Sequence, residues 1–188
     1  MPGKLIIFSA PSGAGKTTIV HHILNKDDNI GFSISACSRE RRANEVDGVD
    51  YHFLGVEGFK EKVDNNEFVE WEEVYPDQFY GTLKDELNGL LNQGKNVIFD
   101  VDVVGGLNIK QHYGDQAIAV FVMPPSLAHL RQRLEHRSTE SQEALQRRLD
   151  KAQQELKVSD QFDVILLNDD LESAFAKAEL IVSDFLSV

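Results

Sequence analysis

Apolar residues in this chain fall into short continuous runs that alternate with stretches of helical spacing. Such runs occupy residues 5–8, 97–99 and 118–122, and a fourth, 164–167, follows Asp163. They are too short for independent helices, and continuous apolar runs are typical of strands covered on both faces. The pattern therefore predicts an α/β fold with a mostly parallel core sheet flanked by helices.

Leucine and alanine stripes at helical spacing predict the helices. The first helix is expected over residues 17–25, directly after a glycine-rich turn. Three later helices are expected to begin at Ser126, at Thr139, and at Asp169 or Asp170, because these residue types cap helix N-termini. The apolar stripes of these helices are interpreted as core contacts.

Two stretches depart from the alternating plan and are interpreted as excursions from a single core. Residues 32–83 mix polar, aromatic and basic side chains, and residues 135–148 carry several arginines around a helix start. The core is then expected to comprise residues 1–31, 84–134 and 149–188.

Charge and composition exclude several classes of protein. The 188 residues include 19 basic and 31 acidic side chains, a net charge of −12, which disfavours binding to DNA or RNA polymers. Cys37 is the only cysteine, so no internal disulfide can form. No apolar run is long enough to span a bilayer, and no signal-peptide pattern precedes the first strand. We expect a cytoplasmic protein without membrane contact, either a monomer or a small homo-oligomer.

A phosphate-binding loop is the strongest motif in the chain. Residues 10–17 read APSGAGKT between a predicted strand and a predicted helix, which is the context that a P-loop requires. The glycines turn backbone N–H groups toward one point, the lysine ammonium approaches the β- and γ-phosphates of a nucleotide, and the threonine hydroxyl binds Mg²⁺. The motif alone does not separate GTPases, ATPases and small-molecule kinases. The first position is alanine instead of glycine, and the alternative is an ordinary glycine-rich turn. The predicted ATP-binding residues of this segment are Ala10, Pro11, Ser12, Gly13, Ala14, Gly15, Lys16, Thr17 and Thr18.

The rest of the chain narrows the class of P-loop protein. Residues 10–170 resemble guanylate kinase, a P-loop nucleoside monophosphate kinase, in the order of eight motifs: APSGAGKTT, FSISACSRERRANEVDGVDYHF, NNEFVEW, FYGT, FDVD, PPS, RLEHRSTES and NDD. The resemblance implies a P-loop kinase fold in which residues 32–83 bind GMP and residues 135–148 form a lid. It also implies phosphoryl transfer from Mg²⁺-bound ATP to GMP or dGMP, giving ADP and GDP, for purine nucleotide metabolism and GMP recycling.

The same resemblance assigns individual residues. It implies that Lys16, Arg137 and Arg148 are catalytic, that Arg133 and Asn168 bind ATP, and that Thr17, with Asp100 as a second candidate, contacts Mg²⁺. The residues that it implies for GMP are Ser35, Arg39, Arg42, Tyr51, Glu70, Tyr80, Thr82, Asp100 and Asp102.

These roles also make chemical sense. Guanine presents adjacent N1–H and N2–H donors that one carboxylate, Glu70, can accept, whereas adenine presents an acceptor at that place. The hydroxyls of Ser35 and Thr82 can donate to the O6 or N7 atom of guanine. Arginine forks suit a phosphate monoester better than lysine does.

Other functions stay open at this stage. Guanylate-kinase-like domains of scaffold proteins bind phosphorylated partners without catalysis, and a P-loop kinase could act on another small phosphate ester. Taken alone, the arginines of residues 39–42 could form a solvated loop, and Glu70 could be a surface carboxylate. Asp100 and Asp102 could simply end a strand. The stretch before the FYGT motif is one residue longer than is usual in the guanylate kinase family.

Overall fold

A computed structural model describes residues 3–137 and 142–187, with the side chains of residues 136 and 137 excepted. Thr139, the predicted start of a helix, lies outside the described residues. The strands are β1 (Leu5–Ser9), β2 (Ile30–Ser33), β3 (Ala36–Cys37), β4 (His52–Phe53), β5 (Phe68–Tyr75), β6 (Gln78–Leu83), β7 (Asn96–Val101), β8 (Ala117–Met123) and β9 (Val164–Leu167). The helices are α1 (Lys16–Leu24), α2 (Gly55–Asp64), α3 (Lys84–Asn92), α4 (Val103–Tyr113), α5 (Leu127–Arg137), α6 (Gln142–Leu156) and α7 (Leu171–Ser187).

The central sheet has the strand order β2-β7-β1-β8-β9, and every pair in it is parallel. The side chains of β1 alternate between two apolar layers, with Ile6 and Phe8 in one cluster and Leu5 and Ile7 in the other. Both layers are buried, as expected for a parallel sheet with helices on both faces. The predicted fold class is confirmed.

A smaller sheet occupies part of residues 32–83, in the order β4-β3-β6-β5. Strand β6 runs antiparallel to β3 and to β5, whereas β3 and β4 are parallel. Helix α2 packs Phe59 against this sheet, where its ring stacks on Phe68 and Phe79 at centroid distances of 4.4 and 5.7 Å. This cluster is separate from the two layers of the central sheet.

Several predicted elements are confirmed within one or two residues of their ends. Ser126 caps α5, because its hydroxyl accepts a hydrogen bond from the His129 N–H at 3.2 Å. Asp170 caps α7, because its carboxylate accepts from the Ser173 N–H at 2.8 Å. Sequence periodicity did not predict α2, α3 or α4, each of which contains at least one glycine. Within residues 3–137 and 142–187, no helix has the length and apolarity needed to cross a membrane.

The packing of Phe59 gives a first prediction. Phe59 is fully buried, so Phe59→Ala should lower the free energy of unfolding by about 3–5 kcal/mol through lost burial and a cavity. Urea denaturation followed by circular dichroism measures the change. Val49→Ala is the control, because Val49 is 61% exposed in the same region and should change stability by less than about 0.5 kcal/mol. A Phe59→Ala protein as stable as the control would contradict the packing described.

Candidate active site

A cleft of about 780 Å³ opens between the carboxyl edge of the central sheet and the smaller sheet. The carboxyl edge of an open parallel sheet is where ligands of α/β proteins bind. The structure places most of the predicted site residues in the lining of this one cleft: Ala10, Pro11, Ser12, Gly13, Ala14, Gly15, Lys16, Thr17, Ser35, Arg39, Arg42, Tyr51, Glu70, Tyr80, Asp100, Asp102 and Arg148.

The loop between β1 and α1 has the backbone of a phosphate cradle. Gly13 and Gly15 have φ angles of 89° and 94°, a conformation that side chains rarely adopt. Lys16 is the first residue of α1 and Thr17 the second, so both stand at the positive end of the helix dipole. Ala10 replaces the first glycine of the motif, and it is 5% exposed and packed in the core.

Two residues behind this loop fix its shape. The Asn168 side-chain amide donates to the Ala14 carbonyl at 2.7 Å, and Arg133 donates to the same carbonyl at 3.2 Å. Arg133 also donates to the Asn168 carbonyl at 3.2 Å. Asn168 is 3% exposed, so its amide supports the loop from the side that faces the protein interior. A side chain at Gly15 would collide with this amide.

Lys16 reaches across the cleft to the neighbouring strand. Its ammonium pairs with the Asp100 carboxylate, and the side chains of the two residues are 16% and 12% exposed. Burial lowers the pKa of Lys16 to about 8, an effect that the nearby carboxylates of Asp102 and Glu155 oppose. Asp102 caps α4, where its carboxylate accepts from the Val104 and Gly105 N–H groups at 3.1 and 3.3 Å.

Glu70 lies deep in the cleft on strand β5. The residue is 9% exposed, and its carboxylate accepts a hydrogen bond from the Thr82 hydroxyl at 2.8 Å. Burial raises the pKa of Glu70 to about 7, and the hydrogen bond from Thr82 partly opposes that shift. The absence of a side chain at Gly105 makes room for Glu70, because a Cβ there would stand 2.8 Å from Glu70 Oε2.

A second group of polar side chains surrounds the guanidinium of Arg39. Glu45 accepts two hydrogen bonds from it, both at 2.7 Å, and the Arg39 Nε–H donates to the Tyr80 hydroxyl at 3.1 Å. The pair with Arg39 lowers the pKa of Glu45 to about 2. The Tyr51 ring faces the guanidinium at 5.0 Å, and burial raises the pKa of Tyr51 to about 12. Arg42 lines the cleft beside this group.

Some predicted residues stand outside the lining of the cleft. Thr82 is fully buried and contacts Glu70, so it reaches the cleft only through that carboxylate. Asn168 and Arg133 contact the back of the phosphate loop. Thr18 is exposed and does not line the cleft. Arg137 ends α5, and its side chain lies outside the described part of the chain.

Four charged residues of the site were missed by the sequence analysis. Glu45 holds Arg39, while Glu72, Lys151 and Glu155 form a group beside Asp102. One signal could have indicated Lys151 and Glu155. They follow Arg148 at positions three and seven residues on, which places all three on one face of a helix.

The fold and the site together define a class of protein. A parallel sheet, a P-loop with its lysine in the cleft, and an arginine cluster facing it are the parts of a P-loop phosphotransferase. A family model described as "Guanylate kinase" matches residues 2–184. The chain therefore belongs to the guanylate kinase family, a family of ATP:GMP phosphotransferases.

Curated relatives of this chain are described as guanylate kinases. A guanylate kinase of Bacteroides thetaiotaomicron is 50% identical over 187 residues, which cover 100% of this chain and 92% of the relative. A guanylate kinase of Porphyromonas gingivalis is 48% identical over 185 residues, covering 98% of both chains. The crystal structure of guanylate kinase from Anaplasma phagocytophilum superposes with a TM-score of 0.77 at 25% identity, over 97% of this chain and 86% of that chain.

The space beside Gly105 gives a second prediction. In Gly105→Ala the new methyl group meets the Glu70 carboxylate and the Asp102 carboxylate at 2.8 and 2.9 Å, so Glu70 must move. If Glu70 contacts guanine as predicted, GMP affinity should fall about tenfold or more, because its carboxylate is displaced. Stability should change little, since alanine also improves the helix by about 1 kcal/mol. Calorimetric titration and urea denaturation measure the two effects.

Gly89→Ala is the matched control for this substitution. Gly89 lies in α3 with no atom within 4 Å of a Cβ built there, so the variant gains helix propensity without touching the cleft. Its GMP affinity should equal that of the unmodified chain. Equal affinities in the Gly105→Ala and Gly89→Ala proteins would contradict the assigned contact.

Proposed function

We propose that this chain transfers the γ-phosphoryl group of Mg²⁺-bound ATP to GMP, and to dGMP as well, in purine nucleotide metabolism and GMP recycling. One observation carries the proposal: the P-loop and a buried carboxylate that can select guanine, Glu70, line the same cleft from opposite sides. We further infer action in the cytoplasm, as a monomer or a small homo-oligomer.

The donor nucleotide is assigned to the loop between β1 and α1. Backbone N–H groups from Gly13 to Thr17 bind its phosphates, and Lys16 neutralises charge on the β- and γ-phosphates. The oxygen donors at this end fit Mg²⁺, which prefers one or two protein oxygens together with substrate phosphates. Thr17 and Asp100 would hold the ion, and the ion would neutralise charge on the transferring group.

The acceptor nucleotide is assigned to the smaller sheet. The lining of the cleft includes a group of two arginines and two tyrosines, Arg39, Arg42, Tyr51 and Tyr80. We assign this group to the phosphate of GMP. Glu70 accepts from the guanine N–H groups at the other end. Ser35, 8% exposed in the cleft lining, is placed to donate to guanine, and Thr82 acts by orienting Glu70.

Two of the remaining arginines, Arg137 and Arg148, are assigned to the lid. Residues 32–83 form the GMP-binding region and residues 135–148 the lid, while residues 1–31, 84–134 and 149–188 form the core. Arg148, on α6, lines the cleft and would neutralise charge on the transferring phosphoryl group together with Arg137. Arg133 and Asn168 support the ATP side through the Ala14 carbonyl.

A coupled assay of ADP release tests the reaction. With Mg²⁺ and ATP, we expect turnover with GMP and dGMP, and at least a hundredfold smaller kcat/KM with AMP, CMP, UMP and dTMP, from two mismatched base contacts worth roughly 1–3 kcal/mol each. Lys16→Met should abolish turnover while retaining GMP affinity, because the lysine acts on the donor side. No turnover with GMP, together with GMP binding, would favour a non-catalytic binding module. Faster turnover with AMP or UMP would contradict the base assignment.

Glu70 makes the reaction depend on pH. Its pKa of about 7 in the folded protein means that the carboxylate needed by guanine forms between pH 6 and 8. GMP affinity should rise about tenfold over that interval, since the ionised fraction rises from about one tenth to about nine tenths. Because the pKa of Glu70 is raised above its value of 4.5 in the unfolded chain, its effect on stability has the opposite sign, and stability falls as pH rises from 4.5 to about 7.

Glu70→Gln separates this effect from titration of the GMP phosphate. The amide does not ionise, so any pH dependence of affinity left in the variant belongs to groups other than Glu70, the GMP phosphate among them. The variant should bind GMP more weakly at pH 8 and resist urea better than the unmodified chain at that pH. Identical pH profiles of GMP affinity in the two proteins would remove Glu70 from the base site.

A further inference from the structure

Lys151 is a cation in the cleft that the reaction as described does not use. It lies on α6, its side chain is 23% exposed, and it lines the cleft. Its ammonium stands 3.6 Å from Glu72 Oε1 on strand β5 and 3.6 Å from Glu155 Oε1 on its own helix. It also lies 5.4 Å from the centroid of the Tyr75 ring, near the end of β5. Lys151 therefore links two elements that are distant in the chain.

The carboxylates around Lys151 need a cation. The Glu72 and Glu155 side chains are 14% and 11% exposed, and Asp102 lies close enough to Glu72 to interact with it electrostatically. Burial raises the pKa of Glu155 to about 7, and burial together with Asp102 raises the pKa of Glu72. Lys151 opposes both shifts. Without Lys151 both carboxyl groups would favour the neutral form, and the electrostatic attraction between α6 and β5 would be lost.

The two sides of this contact also carry groups of the proposed mechanism. Arg148 precedes Lys151 by three residues, so both side chains lie on one face of α6. Glu70 precedes Glu72 by two residues, so both side chains lie on one face of β5. The contact between Lys151 and Glu72 thus joins the helix face that presents Arg148 to the strand face that presents Glu70.

We propose that Lys151 is a positioning residue, which holds α6 against β5 through Glu72 so that Arg148 keeps its place over the transferring phosphoryl group. The inference rests on the proposed function, because Arg148 is assigned its role there. Phosphoryl transfer depends on alignment, and a misplacement of about 1 Å can cost on the order of a hundredfold in rate. The effect of losing Lys151 should therefore fall on kcat, with smaller effects on the KM values.

Steady-state kinetics of Lys151→Met test the proposal. We expect kcat to fall about tenfold to a hundredfold, with the KM values for ATP and GMP changed less than about threefold. Lys151→Arg keeps the charge and the reach, so it should recover most of kcat. Lys157→Met is the matched control, because Lys157 is an exposed lysine just beyond the end of α6. A kcat of Lys151→Met equal to that of the control would overturn the proposal.

A double-mutant cycle with Glu72→Gln shows whether the contact itself is responsible. If Lys151 acts through Glu72, the Lys151→Met/Glu72→Gln protein should be no slower than the slower single variant. Rate losses that multiply would overturn the proposal. Glu72→Gln is nearly isosteric, so it serves as the test if Lys151→Met does not fold. We expect the kcat of Glu72→Gln to fall and the kcat of Lys157→Met to stay unchanged. An unmodified chain inactive with GMP would defeat the proposed function, whereas an active chain with an unaffected Glu72→Gln variant would defeat this inference alone.

Discussion

The ion pair between Lys16 and Asp100 is the contact on which the rest of the site depends. Lys16 belongs to the phosphate loop after β1, and Asp100 belongs to the adjacent parallel strand β7, where it stands opposite Phe8. Parallel pairing brings the carboxyl ends of both strands to one edge, so the loop and the carboxylate must meet there. Burial disfavours the charged form of Lys16, and the nearby carboxylates of Asp102 and Glu155 favour it.

The parts of the site that the sequence predicted are those whose signal is local. Gly13 and Gly15 reveal a turn with positive φ angles, and the apolar run of residues 5–8 reveals the buried strand before it. The P-loop, the parallel sheet and the starts of α5 and α7 could all be predicted because a few adjacent residues determine each of them. The prediction that Arg39 and Glu70 share one site came instead from the resemblance to the guanylate kinase family.

The parts that could not be predicted are pairs that only the fold brings together. Glu45, Glu72 and Glu155 are three of 31 acidic residues, and nothing local separates them from solvated carboxylates. The tertiary structure supplies the distinction: Glu45 holds a guanidinium, and the other two are partly buried beside Lys151. The hydroxyl of Thr82, which the resemblance assigns to GMP, donates to Glu70, because the β5–β6 register places the two residues opposite each other.

An acidic protein can bind two anionic nucleotides because its cations are oriented before the nucleotides arrive. Glu45 stays ionised, with its pKa lowered to about 2, and it fixes the Arg39 guanidinium through two hydrogen bonds. Tyr80 fixes the third side of the same group. An arginine held in this way loses little conformational entropy on binding and undergoes little reorganisation during the reaction. The net charge of −12 describes the chain as a whole, whereas the proposed phosphate site depends on a few cations that carboxylates hold in place.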